Sequence, residues 1–210
     1  MSDYMKVTKE YMEQYAKLSL VYCYDERLSV LQKGEEPDWQ SIELDVGIEV
    51  TEALYREDGR KRSAINQYFG KGLECHQLKE QFGKKYPEYD GQLLVLENTA
   101  CFSDSYDMQD KIQQVCLTIE IKTRKLNHHY RKFRNNWLYV FLPGLLNGDD
   151  IPEIFQAYEM VNSQFPLKFD KVFLNSHELI YIMQPDDWIG TINISDDILR
   201  QIKNEAQQNS

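Results

Sequence analysis

The sequence predicts an α/β fold in which a mixed central β-sheet is flanked by helices, with a helical insertion. Three observations carry this prediction. Apolar residues recur at spacings of three and four in several long segments, short β-branched or aromatic runs lie between those segments, and two of the short runs form an acidic hairpin. A chain of 210 residues is long enough to bury a core of its own, and we expect a single domain over residues 1–210.

Composition narrows the class of protein. Hydrophobic residues make up 42% of the chain and charged residues 28%, which is typical of a globular protein. No apolar run approaches the roughly 20 residues of a membrane span, and the N-terminus lacks the apolar core of a signal peptide, so we expect a cytoplasmic protein. The net charge of −10 disfavours nucleic-acid binding over the whole surface, and any such contact has to be local.

The first part of the chain predicts a helix followed by a hairpin. Apolar and aromatic residues recur at helical spacing from residue 3 to about residue 31, and the helix is expected to end near Gly34. Two short apolar runs follow, and Asp45-Val46-Gly47 between them is compatible with a tight turn. Asp38 starts the first predicted strand, and Glu49 lies in the middle of the second.

Glu49 is the residue in this hairpin that most needs an explanation. It lies between Ile48 and Val50, where a carboxylate is costly to bury unless a cation or a hydrogen-bond donor meets it. Strand alternation places Glu49 and Thr51 on one face, and the partner strand supplies Asp38. These acids therefore predict a site, and the alternative is that Glu49 faces solvent on a half-exposed strand.

The middle of the chain predicts an insertion. Residues 55–90 are expected to form a helical insertion with two glycine interruptions, and residues 91–97 a short buried strand. Residues 99–107, which are rich in Ser and Asp, are expected to form a loop.

The next predicted helix carries a lysine on its apolar face and the basic residues of the chain. Its apolar stripe is interrupted at Lys122, which either points toward a partner or extends its ammonium into water. The basic segment is a candidate phosphate track, although such a run is usually a solvated face. Its candidate nucleic-acid contacts are Arg124, Lys125, Arg131, Lys132 and Arg134. The stripe consists of Ile112, Val115, Ile119, Leu126, Tyr130 and Phe133.

The C-terminal part predicts alternating strands and helices. Residues 137–142 form an apolar run typical of a central strand, and Asp150 caps a helix that reaches about Gln164. Residues 171–174 and 179–183 flank a predicted hairpin turn, and a polar helix begins at Ser195 or Asp196.

The hairpin resembles the signature of a known family. Pro37-Asp38, with Glu49-Val50-Thr51 eleven positions after Asp38, resembles the Pro-Asp … Asp/Glu-x-Lys motif of the PD-(D/E)xK nuclease superfamily. The resemblance covers roughly residues 1–55 and 108–184, and it implies a restriction-endonuclease-like fold. It also implies that Asp38, Glu49 and the Val50 carbonyl hold Mg²⁺ or Mn²⁺.

Thr51 is where this chain departs from the family. It occupies the position of the lysine that positions or activates the attacking water, so it counts among the candidate catalytic residues together with Asp38 and Glu49. Variants of the superfamily move the lysine to the neighbouring helix. This makes Lys122 the first candidate and Lys125 the second, while Glu10 or Glu13 could add an outer ligand.

Two functions follow from the resemblance. The first is a Mg²⁺-dependent nuclease acting on DNA or RNA in restriction or defence, and restriction-like enzymes often act as homodimers. The second is a catalytically inactive protein of the same fold that serves as a regulatory or immunity module. It would bind a protein partner through an acidic, tyrosine-rich surface.

Overall fold

The computed structural model describes residues 7–68, 71–89, 91–96, 99–102, 108–142, 150–185 and 187–210. The chain divides into two compact units. The larger unit is built from Lys9–Ala53 and Asp107–Ser210, and the smaller from Leu54–Tyr106 with the N-terminal residues to Thr8. All the predicted site residues belong to the larger unit.

Helices and strands alternate along most of the chain. The helices are α1 (Lys9–Cys23), α2 (Arg56–Asn66), α3 (Cys75–Lys85), α4 (Met108–His128), α5 (Ile151–Ser163) and α6 (Asp196–Gln208). The strands are β1 (Gln32–Lys33), β2 (Trp39–Ser41), β3 (Val46–Glu52), β4 (Leu93–Leu96), β5 (Thr99–Phe102), β6 (Asn135–Phe141), β7 (Lys171–Ser176), β8 (Leu179–Gln184) and β9 (Asp187–Asn193). None of the described helices combines the length and the apolar character needed to cross a membrane.

The larger unit is built on a mixed sheet with the strand order β1-β2-β3-β6-β7-β8-β9. Its centre is parallel, because β6 pairs in parallel with both β3 and β7, and the outer pairs are antiparallel. The predicted mixed α/β class is therefore confirmed. β6 is buried on both faces, as its continuous apolar run predicts.

Helices cover both faces of the parallel centre. On one face, Leu138 and Val140 of β6 share a buried cluster with Ile119 of α4 and Tyr158 of α5. On the other face the Tyr139 hydroxyl lies 2.9 Å from the hydroxyl of Ser19 in α1. Alternation along β6 thus assigns each residue to the α4–α5 face or to the α1 face. This assignment decides which side chains can meet Glu49.

The smaller unit contains α2, α3 and an antiparallel pair of strands, β4 and β5. Its core consists of Ala64, Ile65, Tyr68, Leu78, Phe82 and Leu93. The predicted insertion over 55–90 lies within this unit, which continues to Tyr106. The loop predicted over 99–107 is wrong for Thr99–Phe102, which pairs with β4, and residues 103–107 lie outside the described residues.

The first helix is shorter than its periodicity predicts. It ends at Cys23, and Glu26–Val30 forms a 3₁₀ turn capped by Asp25, whose carboxylate accepts a 3.1 Å hydrogen bond from the Arg27 amide. This local cap competes with continuation of the helix. The expected helix end near Gly34 is also wrong, because Gln32–Lys33 pairs with β2. Residues 1–6 lie outside the described residues.

The hairpin turn lies earlier than predicted. Val46 and Gly47 belong to β3, and the turn closes over residues 42–45. Asp45 takes the positive φ of 48°, which a short polar side chain tolerates, and its amide donates to the Ile42 carbonyl at 3.2 Å. Glu49 still falls in the middle of β3, so the predicted place of the acid is unaffected.

Most predictions for the C-terminal half are confirmed. Two are not, because β9 lies where no strand is predicted and Asp150, at the N-cap of α5, makes no side-chain capping hydrogen bond. The apolar stripe of α4 is buried, and β6, α5, the β7–β8 hairpin and α6 lie where the sequence predicts them. The predicted helix around Lys122 ends at His128, so Tyr130 and Phe133 belong to the turn that follows it.

Candidate functional site

The structure brings the carboxylate of Glu49 together with the ammonium of Lys122. Glu49 lies opposite Leu138 and therefore on the α4 face of the sheet. Lys122 Nζ donates a 2.6 Å hydrogen bond to Glu49 Oε1. The two side chains are 17% and 7% exposed, respectively, so the pair is shielded from most of the solvent. The alternative in which Lys122 extends into water is wrong, because its ammonium ends on the acid.

Asp38 lies immediately beside this pair. Trp39 pairs with Ile48, so continuing the antiparallel register by one residue places Asp38 across from Glu49. The Asp38 carboxylate is 3% exposed, accepts a 2.8 Å hydrogen bond from the Val50 amide through Oδ2, and lies 3.4 Å from Lys9 Nζ through Oδ1. The two acids predicted from the hairpin are thus neighbours in the structure.

The backbone of Val50 faces Asp38. In an extended strand, the N–H and the C=O of the same residue point to the same edge of the strand. The hydrogen-bonded residue pairs of an antiparallel ladder, which exchange both bonds, show this geometry. Because the Val50 amide donates to Asp38, the Val50 carbonyl oxygen is directed toward the same edge. Thr51, opposite Val140, lies on the Glu49 face and is half-buried, but its hydroxyl brings no charge to the site.

Glu13 adds a third buried carboxylate to this edge. Glu13 Oε1 lies 3.1 Å from Lys9 Nζ, and Oε2 contacts Lys33 Nζ. The Trp39 indole donates to the Glu13 carbonyl at 2.9 Å, which anchors α1 against β2. Glu10, the other candidate for an outer ligand, is exposed, whereas Glu13 is buried. Lys9 thus bridges Glu13 and Asp38.

Burial dominates the electrostatics of Glu49. It raises the pKa of the Glu49 carboxyl above its usual value, the Asp38 charge raises it further, and Lys122 opposes both effects. Burial and the nearby carboxylates also raise the pKa of Tyr130. Neither Glu49 Oε2 nor the Tyr130 hydroxyl completes a hydrogen bond of good geometry within the described part of the chain. Glu49 therefore presents one oxygen to Lys122, and the Tyr130 hydroxyl lies close to the carboxylate.

The feature of this edge that is relevant to metal binding is its set of hard oxygen donors. Two carboxylates and a carbonyl are ligands that Mg²⁺ prefers, and Mg²⁺ normally keeps several waters. The oxygens of Asp38, Glu49 and Val50 are of this chemical type, and Lys9 and Lys122 lie beside the two carboxylates. Across the described ranges, no group of three or more His, Cys, Asp or Glu side chains is placed to hold a metal by itself.

Part of the predicted basic segment packs against the hairpin. The Arg131 amide donates to the Glu36 carbonyl at 3.2 Å, and the Arg134 amide donates to Asp45 Oδ1 at 2.9 Å. The side chains of Arg131, Lys132 and Arg134 are exposed. These three cations therefore lie on the segment that follows α4, where Arg131 is next to the residues that precede Asp38 and Arg134 is next to the hairpin turn.

The other two predicted basic contacts lie on α4 itself. Arg124 is exposed and pairs with Glu120 at 2.7 Å, which neutralises part of its charge. Lys125 is also exposed. The lysines that contact Glu13, Asp38 and Glu49 are Lys9, Lys33 and Lys122. Of the two candidate lysines, the structure brings Lys122 to the acids and leaves Lys125 outside.

Lys9, Lys33 and Tyr130 are the site residues that the sequence analysis missed in these roles. The spacing of four between Lys9 and Glu13 on one helix is a signal that could have found the first. Lys33 reaches Glu13 because β1 pairs with β2, and Tyr130 reaches Glu49 because the turn after α4 folds back. Those two contacts depend on tertiary structure.

Comparison of the chain with protein-family models, curated proteins and solved structures finds no match.

Proposed function

We propose that this protein is a Mg²⁺-dependent nuclease that hydrolyses phosphodiester bonds of DNA or RNA. The observation that carries the proposal is the 2.6 Å contact between Lys122 and Glu49, with Asp38 on the neighbouring strand. A cation and two acids at one buried edge are the groups that metal-assisted phosphodiester hydrolysis needs.

The order of elements supports a divergent restriction-endonuclease-like fold. The acidic hairpin β2–β3, the helix α4 and the strand β6, parallel to β3, follow each other in the order expected of the PD-(D/E)xK superfamily. In this interpretation Lys122 of α4 replaces the lysine that the family carries at the position of Thr51. The proposed assignment to the family rests on the hairpin motif and this order.

Asp38, Glu49 and the Val50 carbonyl would hold the metal. A bound Mg²⁺ or Mn²⁺ would stabilise charge on the scissile phosphate and lower the pKa of a coordinated water. Lys122 balances the charge of Glu49 and holds its carboxylate against the α4 face. A lysine in this place can also donate a hydrogen bond to a phosphate oxygen or to the attacking water.

The exposed cations supply the proposed contact with the substrate. Arg131 contacts Glu36, two residues before Asp38, so its guanidinium is the first candidate contact for a strand that reaches Asp38, and Lys132 and Arg134 follow it in the chain. Arg124 and Lys125 extend the track along α4, with Arg124 weakened by its pair with Glu120. Because the whole chain carries a charge of −10, this local patch is where phosphate binding is favoured.

A cleavage assay tests the proposal. Labelled single-stranded and double-stranded DNA and RNA are incubated with the protein in Mg²⁺, in Mn²⁺ and in EDTA. We expect metal-dependent cleavage by the wild type and a loss of at least about 100-fold in Glu49→Gln and Asp38→Asn, because each loses a metal ligand. Glu43→Gln, an exposed acid in the same hairpin turn, is the matched control and should cleave normally. Full activity of Glu49→Gln would refute the proposal.

A second function has one observation in its favour. The three buried acids already have lysine partners, since Lys9 and Lys33 meet Glu13, Lys9 meets Asp38 and Lys122 meets Glu49. The edge is thus charge-compensated without a metal, as expected of an inactive protein of the same fold that binds a partner protein. Absence of both cleavage and metal-dependent thermal stabilisation in the wild type would favour this function.

The proposed partner surface of that second function rests on charge more than on tyrosine. Several tyrosines of the described chain are buried, namely Tyr11, Tyr15, Tyr68, Tyr130, Tyr139, Tyr158 and Tyr181, whereas Tyr22 is 40% exposed. A homodimer remains a prediction for either function, and sedimentation of the wild type tests it.

A further inference from the structure

Helix α4 carries a second apolar stripe, on the side that is turned away from the sheet. Leu117 is 48% exposed and Ile121 is 45% exposed, and the two lie one helical turn apart. Among the exposed large hydrophobic residues of the described chain, these are the two that share one helix face. Isolated apolar residues are common on protein surfaces, whereas a contiguous pair forms a patch. This patch is therefore a candidate contact surface.

Further residues extend the pair along the whole of α4. They follow each other at alternating spacings of four and three, which is the heptad spacing by which two helices pack along each other. All of them are exposed except Gln114, which is half-buried. This outer stripe consists of Asp110, Gln114, Leu117, Ile121, Arg124 and His128.

The charges of the outer stripe differ between its two ends. Asp110 lies in the first turn of α4, whereas Arg124 and His128 lie near its end. Arg124 keeps its 2.7 Å pair with Glu120, which lies beside the stripe. A parallel partner with the same sequence would place like charges opposite each other, and an antiparallel one brings the acidic end to the basic end. Antiparallel packing also sets opposite ends of the two helix dipoles side by side.

The outer stripe is complementary to itself in this orientation. When a two-fold axis crosses the middle of the apolar pair, Leu117 of one copy faces Ile121 of the other. The same register places Gln114 opposite Arg124 and Asp110 opposite His128, because the members of each pair are equally far from the axis. An apolar contact, an amide next to a cation and an acid next to an imidazole thus occur together, each of them twice.

We propose that the outer stripe of α4 is the seam of a homodimer in which the α4 helices of two copies pack antiparallel. Lys122 follows Ile121 by one residue, about 100° around the helix, so it lies outside the seam. The dimer therefore does not depend on the proposed nuclease activity. Arg124 would face the second copy, and phosphate contacts would fall to Lys125 and to the basic residues after α4.

Sedimentation velocity of the full chain tests the proposal over about 5–300 µM protein. One helix packed on another buries less area than the interface of a permanent dimer, so we expect reversible dimers with a dissociation constant of about 10–100 µM. The double variant Leu117→Gln/Ile121→Gln should weaken dimerisation at least about tenfold, because it removes the apolar centre of the seam. Ile42→Gln, which removes a 77% exposed apolar side chain from the hairpin turn, should dimerise as the wild type does.

Charge reversal tests the antiparallel register. Asp110→Lys and His128→Glu should each dimerise at least about threefold more weakly than the wild type, and an equimolar mixture of the two should recover dimers. The double variant Asp110→Lys/His128→Glu should also dimerise. Residues 110 and 128 are about 27 Å apart on one helix, so only a contact between two copies can couple them.

Three results would overturn the proposal. They are a wild type that stays monomeric at about 300 µM, wild-type dimerisation of Leu117→Gln/Ile121→Gln, or a mixture of the two charge variants that dimerises no better than either alone. The melting transition of each variant shows whether it is folded, and the charge variants decide if the apolar double variant is not. Glu49→Gln should dimerise normally, so failure of the nuclease proposal leaves these results unchanged.

Discussion

Removing the Lys122 ammonium should destabilise the larger unit. The size of the effect should depend on how deeply the Lys122–Glu49 pair is buried. In Lys122→Met the Glu49 carboxylate, 7% exposed, loses its 2.6 Å partner and stays in a site that already raises its pKa. Breaking a buried ion pair by removing one partner typically costs about 3–5 kcal/mol. Because Lys122 itself is 17% exposed, we expect about 3 kcal/mol, at the lower end of that range.

The same helix offers a matched control. Arg124 pairs with Glu120 at 2.7 Å, nearly the same distance, but these two side chains are 62% and 34% exposed. Arg124→Met should therefore cost less than about 1 kcal/mol, as exposed pairs do. The contrast between the two variants isolates burial, since the length of the side chain and the charge lost are closely similar.

The loss of stability in Lys122→Met should also depend on pH. Burial raises the pKa of Glu49, and loss of Lys122 removes the main opposing effect, so the folded-state pKa rises further in Lys122→Met. A carboxyl group with a raised folded pKa is tolerated when protonated and destabilises the fold as pH rises through that pKa. The loss in Lys122→Met should thus be largest near about pH 8 and smaller near about pH 5.

Denaturant unfolding followed by tryptophan fluorescence measures these costs. Trp39, Trp137 and Trp188 all belong to the larger unit, so the signal reports its unfolding. The double variant Glu49→Leu/Lys122→Met, which removes both charges, should recover most of the loss. Equal costs for Lys122→Met and Arg124→Met, or a cost that does not change between the two pH values, would refute the reasoning.

Two further predictions concern the packing of the same region. Glu13→Gln should destabilise the larger unit by about 1–3 kcal/mol because Lys9 and Lys33 lose their buried carboxylate, whereas the exposed Glu10→Gln should stay within about 0.5 kcal/mol in the same denaturation experiment. Gly47→Ala should cost about 1–3 kcal/mol, since a Cβ there would lie 2.5 Å from the Phe133 ring and 2.8 Å from the Pro37 ring. Gly59→Ala, with nothing within 4 Å of its Cβ in helix α2, should instead raise the melting temperature slightly, and a loss in both glycine variants would contradict the steric explanation.

The sequence predicts the elements whose patterns are long or chemically unusual. The stripe of α4 and the apolar run of β6 each bury a continuous surface, and their periodicity records that burial directly. Glu49 and Lys122 interrupt such patterns, so the sequence alone predicts that each of them has a partner. Their pairing joins residues 73 positions apart in the chain, and the physical cost of burying each charge makes it predictable.

Other features depend on short-range competition or on tertiary contacts. The Asp25 cap ends the first helical segment early, and one positive φ at Asp45 shifts the hairpin turn. The strand at Thr99–Phe102 forms because β4 supplies a partner. Lys33 approaches Glu13 because β1 pairs with β2. Propensity and periodicity contain no information about such partners, which explains why these parts differ from the prediction.

Binding of Mn²⁺ tests the central claim most directly, because it needs no knowledge of the substrate. The electron paramagnetic resonance signal of free Mn²⁺ is titrated with the wild type, Asp38→Asn, Glu49→Gln and the control Glu43→Gln. We expect the wild type and the control to remove Mn²⁺ from solution with the same affinity, and we expect the affinity of each of the other two variants to fall at least about tenfold. A wild type that leaves all Mn²⁺ free, or an Asp38→Asn variant that binds it equally well, would contradict the proposed metal site.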